Sequence, residues 1–166
     1  MHELAITVIG PDRPGIVADV SEALAAVGAN LTDSTMTRLR GHFTMTLICT
    51  GPAASEAEAA LGALSGVVTQ VRPVSPEGYA SSGEPYVVSV HGADRLGIVA
   101  AVTRVVAGAG GNITDLTTRL AGPLYVLVAE LDLPAAAAEE LAEQLAVAAA
   151  ELGVDVSLRR AEPEIL

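Results

Sequence analysis

The chain has 166 residues, 51% of them apolar, enough for one medium domain or two small ones. Twenty acidic side chains against nine basic ones leave a formal charge of −11, which repels a nucleic-acid backbone, so direct DNA or RNA binding is not expected. Every basic residue is an arginine, and without lysine both Schiff-base chemistry and the phosphate-loop lysine are excluded.

In chain order, Leu4, Ile6 and Val8 alternate as in a strand, which Gly10-Pro11-Asp12 ends. Ile16, Val17, Val20, Leu24 and Val27 follow the spacing of one helix face, with Pro14 suited to the first turn and Gly28 to the stop. Leu31 to Leu39 is Thr-rich and extended, Arg40-Gly41-His42 turns the chain, and Phe43, Met45, Leu47 and Cys49 alternate on the return. Pro52 to Leu64 is an Ala-rich helix and Val67 to Val74 a final strand. The order is βαββαβ.

That order then repeats. Gly10-Pro-Asp-Arg-Pro-Gly-Ile16 returns as Gly92-Ala-Asp-Arg-Leu-Gly-Ile98, an offset of 82 residues (92 − 10), and Gly28-Ala-Asn-Leu-Thr-Asp33 returns at the same offset as Gly110-Gly-Asn-Ile-Thr-Asp115. Phe43 meets Tyr125 and Pro52 meets Pro134 without a gap. The stretch from Pro52 to Gly66 is five residues shorter than that from Pro134 to Gly153, a difference assigned to the second helix. In the second copy, strands are expected at Tyr86–His91, Ile113–Leu120, Leu124–Leu131 and Val154–Leu158, and helices at Leu96–Ala109 and Ala135–Leu152. The fold class is therefore α+β: two ferredoxin-like units, each a four-stranded antiparallel sheet with both helices on one face. The expected boundaries are a first domain over residues 1–78, a linker over 79–85 rich in turn formers, and a second domain over 86–166. Units this small are near the lower limit for an independent core, so the copies are expected to pack together and the chain to pair as a homodimer.

The loop leading into the first helix of each copy is the most informative segment. A helix start offers unpaired backbone N–H groups and partial positive charge, and Gly15 or Gly97 carries no side chain to keep a carboxylate away. Asn30 and Asn112 open the next strand and are expected beside the same loop, where an amide can accept from an ammonium and donate to a carboxylate. Together these groups match the head of an α-amino acid, with Arg13 and Arg95 available to its carboxylate. Plainer readings stand beside this one: Asp12 and Asp94 as helix caps, Gly15 and Gly97 as close-packing residues, and Asn after Gly as a helix stop.

Other features carry less. Gly108-Ala-Gly-Gly111 ends a helix instead of starting one, so it lacks the phosphate cradle of a dinucleotide loop. His2, His42 and His91 have no ligand spacing, and Cys49, the only cysteine, permits no internal disulfide and no zinc cluster. No metal, cofactor or catalytic nucleophile is expected. The N-terminal residues lack a basic and then apolar leader, and no apolar run spans a bilayer, so a cytoplasmic chain without membrane association is expected.

With Asp-Arg-Pro-Gly-Ile-Val at the first loop and Gly-x-Asn-Leu/Ile at the second strand, each copy resembles the ACT domain, and two of them in tandem resemble the glycine cleavage system transcriptional repressor group. The resemblance implies a non-enzymatic regulatory protein that binds a small amino acid, glycine or serine, at domain interfaces and signals to a protein partner, a transcription factor or metabolic enzyme. Carried over by position, the implied ligand residues are Asp12, Arg13, Pro14, Gly15, Ile16, Asn30 and Leu31, then Asp94, Arg95, Leu96, Gly97, Ile98, Asn112 and Ile113. Leu96 departs from Pro14 of the first copy, which raises the question of whether the two sites bind equally. The alternative is a regulatory subunit that docks on a metabolic enzyme and needs no ligand.

Overall fold

The computed structural model describes residues 3–75 and 83–162. It divides into two compact units, residues 1–78 and 79–166. The first contains β1 (Glu3–Pro11), α1 (Ile16–Ala26), β2 (Asn30–Leu39), β3 (His42–Thr50), α2 (Ala54–Gly62) and β4 (Val68–Val74). The second contains β5 (Glu84–Ala93), α3 (Ile98–Gly108), β6 (Asn112–Ala121), β7 (Leu124–Leu133), α4 (Ala138–Leu152) and β8 (Val154–Arg160). Residues 79–82 of the expected linker lie outside the described residues, and Glu84 and Pro85 already pair with Leu133 and Asp132.

Each unit is a four-stranded sheet with antiparallel neighbours, ordered β2-β3-β1-β4 and β6-β7-β5-β8. The alternation seen in the sequence becomes burial. In the first unit Leu4, Ile6 and Val8 of β1 and Phe43, Met45, Leu47 and Cys49 of β3 form one core with Ile16, Val20 and Leu24 of α1 and Ala57 and Leu61 of α2. Alternate residues of a strand share a face, so both helices cover the same side of the sheet. The second unit repeats this with Val88 and Val90, Leu127 to Leu133, and Ile98, Val102 and Val106 of α3 against Leu141 and Leu145 of α4.

The helix ends are built alike. After α1 the Gly28 amide donates to Ala25 O and the Ala29 amide to Leu24 O, both at 3.0 Å, with Gly28 left-handed at φ 79°. After α3 the Gly110 and Gly111 amides make the same pair of bonds to Ala107 O and Val106 O. These are Schellman caps, and they let Asn30 and Asn112 begin strands directly. The helix-stop reading therefore belongs to the glycines; neither asparagine has a positive φ. Just inside β2 and β6 the register shifts at Leu31/Asp33 and Ile113/Asp115, where the Thr32 and Thr114 hydroxyls donate to Ile48 O and Glu130 O.

Several boundaries differ from expectation, among them α2, which spans Ala54–Gly62 and not Pro52 to Leu64, and β5, which spans Glu84–Ala93 and not Tyr86–His91. The first helix of each unit begins at Ile16 or Ile98, after Pro14 and Leu96, because the preceding glycine is left-handed. The last helix begins at Ala138, leaving Ala135 outside it, and still runs for 15 residues against 9 in α2, so the length difference between the copies does lie in that helix.

Gly10 of the repeated motif is needed for close approach: a Cβ there would stand 2.7 Å from Gly66 O, and one on Gly92 would stand 2.9 Å from Val154 Cγ1. Core and surface positions should separate cleanly in unfolding experiments. Replacing fully buried Leu24 with Ala should cost about 2–5 kcal/mol. Val68→Ala, at a position 75% exposed, should stay within about 0.5 kcal/mol, both read from urea unfolding.

Candidate functional site

Residues 12–15 carry the chain from β1 into α1. Arg13 O accepts from the Ile16 amide at 3.4 Å, and Gly15 has φ 84° and ψ −1°. With Pro14 before it, this is a type II turn, whose third residue needs positive φ. The second loop repeats the form, with Gly97 at φ 89° and ψ 6°. Proline is favoured but not required at the second turn position, which accounts for Leu96, 98% exposed.

A Cβ built on Gly15 or Gly97 meets nothing within 4 Å. The close-packing reading of these glycines is thereby corrected: the backbone conformation requires them, and the space beside them is open. The capping reading is corrected as well. Gly15 and Gly97 are themselves the N-caps, and no side chain bonds to either helix start. The first helical amides, which have no intrahelical partner, lie next to this open space.

The charges of the two loops are disposed differently. In the first unit Arg13 Nη2 donates to Asp19 Oδ2 at 2.7 Å, across the first turn of α1, and Arg38 Nη1 reaches Asp12 Oδ2 at 3.5 Å. Arg13 and Asp19 are 43% and 41% exposed, so their pair contributes no more than about 1 kcal/mol to stability. At the matching positions the second unit has Ala101 for Asp19 and Leu120 for Arg38. Arg95 turns instead to α4, donating from Nη1 to the Glu151 carbonyl at 3.0 Å, where a cation suits the helix C-terminus.

In that unit residues 94–100 and Tyr125 enclose an open depression of about 490 Å³. Tyr125 was not among the sequence-predicted site residues, although the repeat had already set it against Phe43. Phe43 is fully buried, whereas Tyr125 is only half-buried and brings a phenol into the depression.

Asn30 and Asn112 do not lie beside these loops within their own unit. Asn30 aligns with Thr50 and Glu3 at one end of the sheet, whereas the loop leaves the other end, where Pro11 aligns with His42 and Leu39. Asn112 likewise aligns with Asp132 and Pro85, remote from Ala93. The cause is the crossover: α1 returns the chain along the sheet, and 11 residues of helix cover about 16 Å. The site residues thus form two groups per unit, the loop and the strand start. Ile16 and Ile98 are buried in the cores, and Leu31 and Ile113 pack against them, so these four can offer a ligand little beyond backbone. A second depression, of about 760 Å³, occupies the Asn112 end of the second sheet, lined among others by Pro85, Thr114, Asp132 and Arg159.

His91 faces Asp155 at 3.4 Å on the surface, and among the described residues no three His, Cys, Asp or Glu side chains gather as metal ligands. No helix among them is long and apolar enough to cross a membrane. Burial pushes the Cys49 thiol up from its ordinary value, which keeps it neutral and unreactive. Two outcomes follow from this geometry. Gly15→Ala should cost about 1–2 kcal/mol through its φ, and Gly15→Asn less, because asparagine tolerates the left-handed region, both read by urea unfolding. Cys49 should react with a thiol reagent at mildly alkaline pH only after unfolding; rapid labelling of the native chain would contradict its burial.

The ACT domain family profile matches residues 2–70 and again 84–159. A UPF0237 protein of Methanopyrus kandleri is 44% identical over 64 residues, 39% of this chain and 68% of that protein. The glycine cleavage system transcriptional repressor of Escherichia coli is 38% identical over 50 residues, 30% of this chain and 26% of its own length. Among solved structures, an unknown protein from Galdieria sulphuraria superposes with a TM-score of 0.85 at 32% identity, covering 97% of this chain and 99% of that one. A structure described as a candidate glycine cleavage system transcriptional repressor superposes with a TM-score of 0.72, at 22% identity over 98% of both chains, and shares the fold. With both halves matched and βαββαβ topology in each, this chain belongs to the ACT domain family, as a tandem pair whose relatives include regulatory proteins.

Proposed function

We propose that this protein is a non-enzymatic amino-acid sensor: a small α-amino acid, glycine or serine, binds where ACT units meet, and the bound arrangement is read by a protein partner. The observation that carries this is the pair of left-handed glycines, each opening a helix start onto free space in both repeats. Backbone amides and the positive end of a helix dipole suit a carboxylate there. The repressor name of one relative supports a link to glycine metabolism.

Because loop and asparagine stand at opposite ends of one sheet, they can serve one ligand only if they come from different units. β2 and β6 are edge strands of ten residues each, with Met36, Leu39, Leu116 and Leu120 partly exposed on them. An edge of this kind invites pairing with another. Antiparallel pairing of one such edge with its copy in a second chain brings the start of one beside the end of the other, and so Asn30 or Asn112 toward the loop of the other copy. This geometry supports assembly of ACT units, a homodimer included, and gives the ligand a role in setting their packing. The charge of −11 favours a protein partner, a transcription factor or metabolic enzyme, over direct contact with nucleic acid, in a cytoplasmic setting.

Thermal-shift screening of the full chain against the twenty amino acids tests the proposal. A ligand present at about a hundred times its Kd stabilises the folded state by about 2.7 kcal/mol, which is a melting shift of several degrees. Glycine or serine should produce it, and Asn30→Ala with Asn112→Ala should remove it while circular dichroism stays native. A flat response to all twenty at millimolar concentration would sink the sensor reading.

A further inference from the structure

The two repeats share a loop but not its electrostatics, and resting on the sensor reading above, we infer that the second repeat's loop is the one that takes the amino-acid head group, the first being disfavoured by its own ion pairs. In the first loop each charged group that a zwitterion would need is already matched by an opposite charge. Arg13 is held by Asp19 at 2.7 Å and Asp12 by Arg38 at 3.5 Å. A ligand carboxylate approaching the start of α1 meets Asp19 in the first helical turn, which repels it and competes for Arg13.

In the second loop both closures are absent. Ala101 leaves the first turn of α3 without an acid, and Leu120 leaves Asp94 with no ion-pair partner among the described residues. Asp94 is then available to an ammonium. Arg95 is retained only by a neutral acceptor, the Glu151 carbonyl, so a carboxylate can draw it away where Asp19 would hold Arg13. The same loop and helix start line a depression of about 490 Å³ together with Tyr125, which stands at the position of the fully buried Phe43.

The arrangement also supplies a route outward. Arg95 ties the loop to the last turn of α4, and β8 follows α4 directly after Gly153. A ligand that takes Arg95 frees the Glu151 carbonyl in the last turn of α4 in the second unit, while the first unit has no corresponding tie to lose: Arg13 stays on α1 through Asp19. One repeat is thus a receiver and the other a fixed frame of the same fold.

Calorimetric titration of the full chain with glycine and with L-serine decides the matter. The expected stoichiometry is one ligand per chain. Ala101→Asp with Leu120→Arg, which transplants the first repeat's ion pairs, should weaken binding about tenfold to hundredfold, the loss of one hydrogen bond to a charged group. The reverse transplant, Asp19→Ala with Arg38→Leu, should raise the stoichiometry to two. Two ligands per unaltered chain, or undiminished affinity in the A101D/L120R double variant with native circular dichroism, would overturn the asymmetry and leave the sensor reading standing. Absence of heat with every amino acid would instead remove the sensor reading itself, and this inference with it.

Discussion

A helix that joins two parallel strands of one sheet has to travel the sheet's full length, and much of this protein's architecture follows from that requirement. In each unit the first strand stops at one end of the sheet, the helix carries the chain back, and the second strand starts at the other end, two positions away in the order β2-β3-β1-β4. The apolar stripe of the helix is buried over that whole path against alternate residues of β1 and β3. Burial of one sheet face therefore fixes where the polar motifs stand: the turn before the helix and the asparagine after it are held apart by the same element that joins them in sequence.

The turn itself is a small solution to a geometric problem. A strand leaving the sheet has to change direction sharply before the helix can begin over the same face. Arg-Pro-Gly-Ile does so with a type II turn, and Arg-Leu-Gly-Ile does so without proline, because only the glycine is demanded by the backbone. The by-product is a helix start with no side-chain cap and no Cβ beside it. No side chain therefore covers the helix start, which joins the folding role of Gly15 and Gly97 to the binding role proposed for their loops.

Duplication gives an internal comparison. Most core positions of the two units correspond, down to Leu24 and Val106 at matching places in α1 and α3, and both end those helices in Schellman caps. What has diverged is the ring of side chains around the loops: Asp19 against Ala101, Arg38 against Leu120, Phe43 against Tyr125. Packing constrains the first set, since any change in volume is felt by close-packed neighbours; the side chains of Asp19 and Arg38 reach solvent and can change at little cost to the fold, whereas Phe43 is itself a buried core residue that a half-buried Tyr125 replaces.

Much was legible in the order of residues alone. Alternating Leu4, Ile6 and Val8, the i, i+4 and i+8 spacing of Ile16, Val20 and Leu24, and the repeat at 82 residues led to βαββαβ twice, because periodicity reports which side of an element meets the core. The family resemblance rested on the same local motifs. Three-dimensional arrangement decided the rest. Two parallel strands in one sheet suggested Asn30 near Gly15, yet strand register sets them apart, since the end of one parallel strand and the start of the next lie at opposite ends of the sheet. Likewise Arg13 and Arg95 sit in one motif but face different partners, an acid on its own helix in one case and the end of α4 in the other, because a side chain's contacts are set by what the fold brings near it.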